Sequence, residues 1–324
     1  MRLRRALLAP GLLAPLLFVG SPPVAVAQPG APTVAKQSVA ECDEISALRT
    51  RHGKHNGSDP NDLSRAQAAK AQQQIEAKLR SKGLNWSSKL PSSPRRVKVH
   101  WHVITRADGT GGVTDQQLKA QLRVLNTAFA GTLSKQDAPT IFRFVTASID
   151  RTANDDWYNW GTSDEDFESD DAEAKKELHR GGFADLNVYV TGLGGGDLLG
   201  YATFPFDTTL ERDGVVVLNE SLPGGSVAPY NEGDTLTHEV GHWLGLFHTF
   251  ENGCTAPGDS VPDTPYQAEG ENIFSCDESL DTCPAPGKDP VHNYMSYGDD
   301  PCLDRFTLGQ SVRMALVWFA YRAS

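Results

Sequence analysis

His238-Glu239-Val240-Gly241-His242-Trp243-Leu244-Gly245-Leu246-Phe247-His248 reads H-E-x-x-H-x-x-G-x-x-H, and this stretch decides the architecture. In a helix, residues four apart lie about 40° from each other around the axis, so His238 and His242 present two imidazoles to one ion. Glu239 stands about 100° round from His238, beside such an ion and not on it, where a carboxylate can take a proton from an attacking water. Gly245 is free to adopt a positive φ, which ends the helix and lets His248 return as a third ligand. Three protein ligands leave a fourth position open, the mark of a catalytic zinc and not of a structural one. A lone H-E-x-x-H also occurs on ordinary surface helices; the glycine and the third histidine at these offsets make the pattern specific.

Downstream of the motif the chain becomes loop-rich and carries Cys254, Cys276, Cys283 and Cys302, four of its five cysteines. An even set in an exported segment reads as two disulfides, with three pairings open. A zinc site built from all four thiolates competes with that reading, although no C-x2-C pair supports it. Cys42 is the odd cysteine. Export itself is expected from the amino terminus. Arg2, Arg4 and Arg5 precede an apolar stretch, Ala6 to Gly20, and Ala25-Val26-Ala27 fits a cleavage site, so residues 1–27 read as a signal peptide. The stretch is too short and too proline-broken to span a membrane, and the chain is expected to be secreted and extracellular. A formal net charge of −11 disfavours nucleic acid and anionic membranes as partners and otherwise suits solubility.

Residues 28–95 read as a removable pro-segment. Gln28 to Ala35 is Pro/Ala/Gly-rich, whereas Asp62 to Lys82 has helical composition, with Asn61 or Asp62 as cap and Gly83 just past its end. Leu63, Ile75 and Leu79 give this helix little to bury alone, so it needs another surface to lie on. Ser92-Ser93-Pro94-Arg95-Arg96 is a polar, basic junction open to proteolysis. Residues 96–324, about 230 in all, are enough for one sizeable core. Strands are expected over Val97 to Ile104, Ile141 to Ile149, Leu186 to Val190 and Val215 to Leu218, with Leu198 to Phe204 as an additional edge strand. Thr114 with Gln117 opens a crossover helix striped by Leu118, Leu122, Leu125 and Phe129. The zinc helix starts near Asp234, and Thr307 with Gln310 opens a final helix. This order predicts an α/β (α+β) domain, a mixed twisted sheet with helices packed against it. His100 and His102 share a strand face, which suits either a second metal pair or ordinary packing.

The zinc motif followed by Asn293-Tyr294-Met295-Ser296-Tyr297 resembles a metzincin metalloprotease, whose metal site rests on a methionine-containing turn. More narrowly, HEVGHWLGLFHTF, then Gly253-Cys254, Gly258-Asp259-Ser260-Val261-Pro262-Asp263-Thr264-Pro265, NYMSYGDDPC and FTLGQSVRM resemble the pappalysin family, over the chain from about Val97 onward. The resemblance implies a two-lobed domain, its cleft lying between an upper sheet and a loop-rich, disulfide-bonded lower lobe. It assigns zinc to His238, His242 and His248, catalysis to Glu239, the supporting turn to Met295, and a place beside the metal to Tyr297, whose phenol can donate to an oxyanion. It further implies calcium in the loop after the zinc helix, with Asp259, Asp263 and Thr264 as oxygen ligands, and the disulfides Cys254–Cys283 and Cys276–Cys302. The pro-segment departs from the family in having Asp43, where related proteins often have glycine, after the cysteine.

Together these readings predict a secreted zinc endopeptidase, made as a latent precursor, that acts on protein or peptide substrates. Cys42, unpaired and within the removable segment, is the candidate latency switch, since a thiolate binds zinc strongly; a bystander thiol or an intermolecular disulfide is the other reading. Asp299 and Asp300 follow Tyr297 closely and are expected to line the pocket for the residue after the cut, favouring Arg or Lys there. Two rivals stand against the peptidase. One is a secreted binding protein that keeps the fold without catalysis, against which Glu239 and Tyr297 speak. The other is a zinc hydrolase of non-peptide amides. The sequence leaves the oligomeric state open.

Overall fold

Val97, Val99, Trp101 and Val103 alternate along strand β1 (Arg95–Thr105), and all four are buried against one hydrophobic cluster. Period-two burial of this kind puts one strand face on a core. The computed structural model describes residues 59–160, 164–195 and 198–323. The leader over residues 1–27 and Cys42 lie outside the described residues.

A capping box at Thr114 and Gln117 opens α2 (Asp115–Ala130), and Gly131, in the left-handed region at φ 67°, closes it. That helix carries the chain across to β2 (Phe142–Ala153), which pairs in parallel with β1. Two helices follow, α3 (Asp155–Asn159) and α4 (Asp164–Leu178), then β3 (Asp185–Thr191) on the other side of β1. β4 (Gly200–Ala202) and β5 (Val215–Leu218) complete five strands in the order β2-β1-β3-β5-β4. All pairings are parallel except the last, so β4 is an antiparallel strand at the edge. The sheet and its crossover helix fall where the alternation placed them. The sequence reading passed over α3 and α4.

α5 (Asp234–Trp243) is buried at every position. A helix enclosed on all sides must satisfy its own ends, and both ends are held. At the start, the Asp300 carboxylate accepts from the backbone N–H groups of Glu232, Gly233 and Asp234 at 2.8, 3.0 and 3.4 Å. At the finish, Arg322 donates to the Trp243 carbonyl at 2.9 Å and pairs with the buried Asp213, which also accepts from the Trp243 indole at 3.0 Å. Arg322 belongs to the C-cap of α6 (Leu308–Tyr321), the final helix, opened by the Thr307–Gln310 capping box. Between α5 and α6 the chain makes only short 3-10 turns. Disulfides Cys254–Cys283 and Cys276–Cys302 close this lower lobe, and with the thiols joined in pairs the four-thiolate zinc site is ruled out.

Helix α1 runs Arg65–Ser81 and is capped by Ser64 with Gln67, not by Asn61 or Asp62. Ser64-x-x-Gln67 is a full capping box, which a serine and glutamine at that spacing form without strain; it leaves the preceding residues free for another use. α1 lies on α6, with Ala71, Ile75 and Leu79 buried against Phe247, Leu316 and Val317. Burying Ile75 and Leu79 contributes about 1.5–3 kcal/mol each, which offsets the marginal stability of an isolated helix this short.

Candidate active site

α5 delivers His238, Glu239 and His242, and the backbone turns at Gly245 with φ 92° to bring His248 back. The His242 Nε2 stands 3.0 Å from the His238 Nε2 and 3.1 Å from the His248 Nε2, with all three rings buried. Each Nδ1 is engaged outside that cluster: His238 on the Tyr294 carbonyl at 2.6 Å, His242 on the Leu246 carbonyl at 2.8 Å, and His248 on the Asp62 carboxylate at 3.2 Å. Carbonyl and carboxylate oxygens only accept, so the Nδ1 atoms carry the protons and the Nε2 lone pairs face one another. Three imidazole nitrogens converging in a buried space are a donor set for one soft or borderline cation. Phe250 stacks on His248 at 4.7 Å, and the Phe204 ring meets His242 edge-on at 5.3 Å, so an aromatic ring packs on each of these two donors.

Met295 sits beneath this cluster. A Cβ on Gly241 would stand 2.3 Å from the Met295 Sδ, so the thioether rests where α5 has no side chain. The turn is fixed by its own neighbours, because Met295 donates to the Asn293 side chain at 3.0 Å and accepts from the Thr249 N–H at 3.1 Å. Asn293 in turn exchanges amide hydrogen bonds with Gln310 at the head of α6, at 2.8 and 3.0 Å. Tyr297 is fully buried and packs 4.9 Å from His248. Burial, reinforced by the carboxylates of Asp59 and Asp62, holds its phenol well above the ordinary tyrosine range and keeps it a proton donor. Glu239 is buried, and a Cβ on Gly200 of the edge strand would lie 3.1 Å from its Cγ, so β4 runs directly past the carboxylate side chain.

Among the described residues, three that precede α1 enter the site, and sequence reasoning did not foresee it. The Tyr297 hydroxyl donates to the Asp59 Oδ2 at 2.6 Å, and the same oxygen lies 3.7 Å from the His248 Nε2. Asn61 donates to the Ala202 carbonyl and accepts from the Ala202 N–H, both at 2.8 Å. Asp62 holds the outer nitrogen of His248. The signal was the run Asp59-Pro60-Asn61-Asp62 ahead of a helix that already has a serine cap. Burial drives the His248 pKa down, but Asp62 and Asp59 beside it leave it above the ordinary histidine value.

The remaining candidates divide. Asp259 is buried with its carboxyl pushed up to about 7 by burial, and it lies near Thr264. Asp263 instead caps α6, accepting from the Thr307 hydroxyl and the Gly309 N–H at 2.8 Å each. Asp300 is committed to the start of α5, as described, which leaves Asp299 as the less buried of the two aspartates after Tyr297. His100 and His102 are bound to Ser148 and to Asp150 and Asn187, respectively, on neighbouring strands, so this pair is packing and not a second metal site.

A buried helix bearing H-E-x-x-H, a returning third histidine and a methionine turn below it define a metalloendopeptidase. The chain belongs to the pappalysin-type peptidase family. The pregnancy-associated plasma protein-A peptidase model matches residues 174–318. An extracellular metalloprotease of Colletotrichum graminicola is 45% identical over 72% of this chain and 80% of its own length. Extracellular metalloprotease 1 of Coccidioides posadasii is 42% identical over 71% and 79%, respectively. Among solved structures, a promirolysin mutant from Tannerella forsythia aligns with a TM-score of 0.64 and 27% identity over 82% of this chain and 94% of that one. Mature mirolysin in complex with a cleaved peptide aligns with a TM-score of 0.58 and 30% identity over 72% and 97%. The protein is a secreted metalloprotease, and its activity requires a metal.

Proposed function

We propose that His238, His242 and His248 hold zinc and that Glu239 is the general base in hydrolysis of peptide bonds. One observation carries this reading: three buried Nε2 atoms converge while every Nδ1 is occupied elsewhere. When bound, zinc supplies Lewis acidity to the scissile carbonyl and to the attacking water. The residues of the chain do the rest. Glu239 takes the proton of the water and passes it to the leaving amine. Tyr297, kept protonated by burial, donates to the oxyanion as it develops. β4, an edge strand beside Glu239, holds an extended peptide by backbone pairing. Zinc content and peptide hydrolysis of Glu239→Ala and His248→Ala test the assignment together. The first variant is expected to keep metal and lose about two or more orders of magnitude in rate; the second is expected to bind metal weakly. Near-normal turnover by Glu239→Ala would falsify the base.

The protein is proposed to be made as a latent precursor, residues 28–95 forming the pro-segment and residues 96–324 the catalytic domain. Support comes from α1 lying on α6, from residues ahead of α1 inside the cleft, and from the likeness to promirolysin. Cys42, the sole cysteine outside the two disulfides, is the thiol that the sequence offers as a latency ligand. A preference for Arg or Lys after the cut is proposed on Asp299, since Asp300 serves the helix; peptide profiling that returned apolar residues there would discard it. Calcium is proposed near Asp259 and Thr264 with Asp263 alongside, and a chelator-sensitive melting temperature separable from zinc loss is its test.

A further inference from the structure

We infer that Asp171 is the positioning residue of the edge that pairs with substrate: from the far face of the sheet its carboxylate holds the Tyr201 side chain, and so sets β4 at the height over Glu239 at which an extended peptide is received. This rests on the reading that β4 receives the substrate.

β4 needs such a hold. It is three residues long, ends the sheet, and pairs on one side only, with β5 through Gly200, Tyr201 and Ala202. Two strands joined over so few residues are marginal by themselves. Side chains alternate across a sheet. Gly200 and Ala202 face α5: Ala202 shares a core cluster with Val240 and Trp243, and a Cβ on Gly200 would lie 3.1 Å from the Glu239 Cγ. Tyr201 points the other way, into the cluster that holds Trp160, Leu178 and Tyr189. The outward N–H and carbonyl of Ala202 are the groups that Asn61 engages. The residue whose backbone is offered to a partner is therefore the immediate neighbour of the one whose side chain is gripped from behind.

The grip is one buried carboxylate. Asp171 Oδ1 accepts from the Tyr201 hydroxyl at 2.7 Å and from Lys175 Nζ at 2.6 Å, and Oδ2 accepts from Arg212 Nε at 2.9 Å and Nη2 at 2.6 Å. The Tyr201 oxygen accepts in turn from the Trp160 indole at 2.5 Å. Burial pushes the Asp171 carboxyl up, but Lys175, Tyr201 and Arg212 outweigh burial and leave it below the ordinary aspartate value, an ionised acceptor. Arg212 belongs to the connection from β4 to β5, so the same carboxylate ties together α4, the strand and the chain leaving it. A buried ion pair adds little net stability over apolar packing of the same volume. What directed, charge-assisted hydrogen bonds supply and apolar packing does not is a fixed position for the phenol, and with it for the strand.

The test compares two peptides that share one scissile bond, a short one and one extended by several residues on both sides, on protein expressed from the full chain. Tyr201→Phe removes only the hydroxyl. Asp171→Leu combined with Lys175→Met removes the grip while replacing the buried pair by apolar groups of similar size, which keeps the fold. Both variants are expected to raise KM for the extended peptide about tenfold and to change kcat/KM for the short one by less than about threefold. Metal content is expected to stay full, and amide hydrogen exchange over residues 200–203 to quicken. Equal losses on the two peptides, or loss of metal, make Asp171 a structural residue only and overturn the inference, as does an unchanged KM for the extended peptide in both variants. If the unaltered protein shows no advantage for the extended peptide, the reading of β4 as the substrate strand fails first, and the anchor with it.

Discussion

The parts proposed for Glu239 and Tyr297 are separable, and single substitutions can show it. Tyr297→Phe keeps the ring that packs on His248 and Phe250 but removes the oxyanion donor. Its kcat is expected to fall by about 10² to 10³, as for loss of one oxyanion-hole donor, with metal content unchanged; a kcat within about threefold of the parent would remove Tyr297 from the mechanism. Asp259 permits a pH prediction away from the chemistry. Its carboxyl lies above the usual range, pushed up to about 7 by burial. Between the ordinary aspartate value and 7 the folded chain therefore holds a proton that the unfolded chain has released. Stability falls as pH rises through that window, by at most about 1.4 kcal/mol per pH unit for one proton. Denaturant melts of chelator-treated protein at pH 5 and pH 7.5 are expected to show the decline, and Asp259→Asn to flatten it. At this scale His238, Glu239 and His242 were legible because helical spacing alone brings them together, His248 because a glycine stands where the helix must turn, and Met295 through the family resemblance. Asn61 and Asp62 were read as helix caps because side chains of that type commonly serve so; their partners, Ala202 and His248, lie far along the chain, and no local pattern announces such a contact.

The elements repeat that contrast. β1, α2 and β5 were readable because alternation and capping boxes are local signals, and their burial follows the pattern. α4 was not, since Asp164–Leu178 is dominated by charged residues and reads as a solvated stretch. It is held by a buried network that only the fold creates, Lys175 with Asp171 at 2.6 Å and the Tyr201 hydroxyl on Asp171 at 2.7 Å. α5 yields a prediction at its own scale. The Asp300 carboxylate caps it from outside the helix, so Asp300→Ala leaves buried N–H donors without their acceptor. A loss of about 1–2 kcal/mol is expected in denaturant melts, with retained zinc; an unchanged midpoint would mean that water or a neighbour replaces the cap.

Across the whole molecule, the proposed maturation is constrained by where the sheet begins. Arg95 already pairs with Phe142 as the first residue of β1, whereas Pro91 to Pro94 are exposed. Release of the catalytic domain by a cut beside Arg95 leaves β1, which is flanked by a strand on each side, nearly whole, and a cut several residues later would strip it from its neighbours. Amino-terminal sequencing of the activated protein is expected to begin within a residue or two of Arg95, and a start beyond Val99 would contradict both the boundary and self-processing at this junction.

The two lobes are secured by different means. Hydrogen-bonded strands hold the upper one, whereas covalent links between Cys254 and Cys283 and between Cys276 and Cys302 hold the loops that run beneath the metal and past Tyr297. Loss of either link frees a chain segment whose closure is worth about 3–4 kcal/mol in the unfolded ensemble. Thiol-rich surroundings would therefore undo the floor of the cleft while sparing its roof. Preparation in a reducing cytoplasm, or storage with dithiothreitol, should yield material that retains sheet structure yet has lost its peptidase, and an oxidising host compartment is the one that suits it.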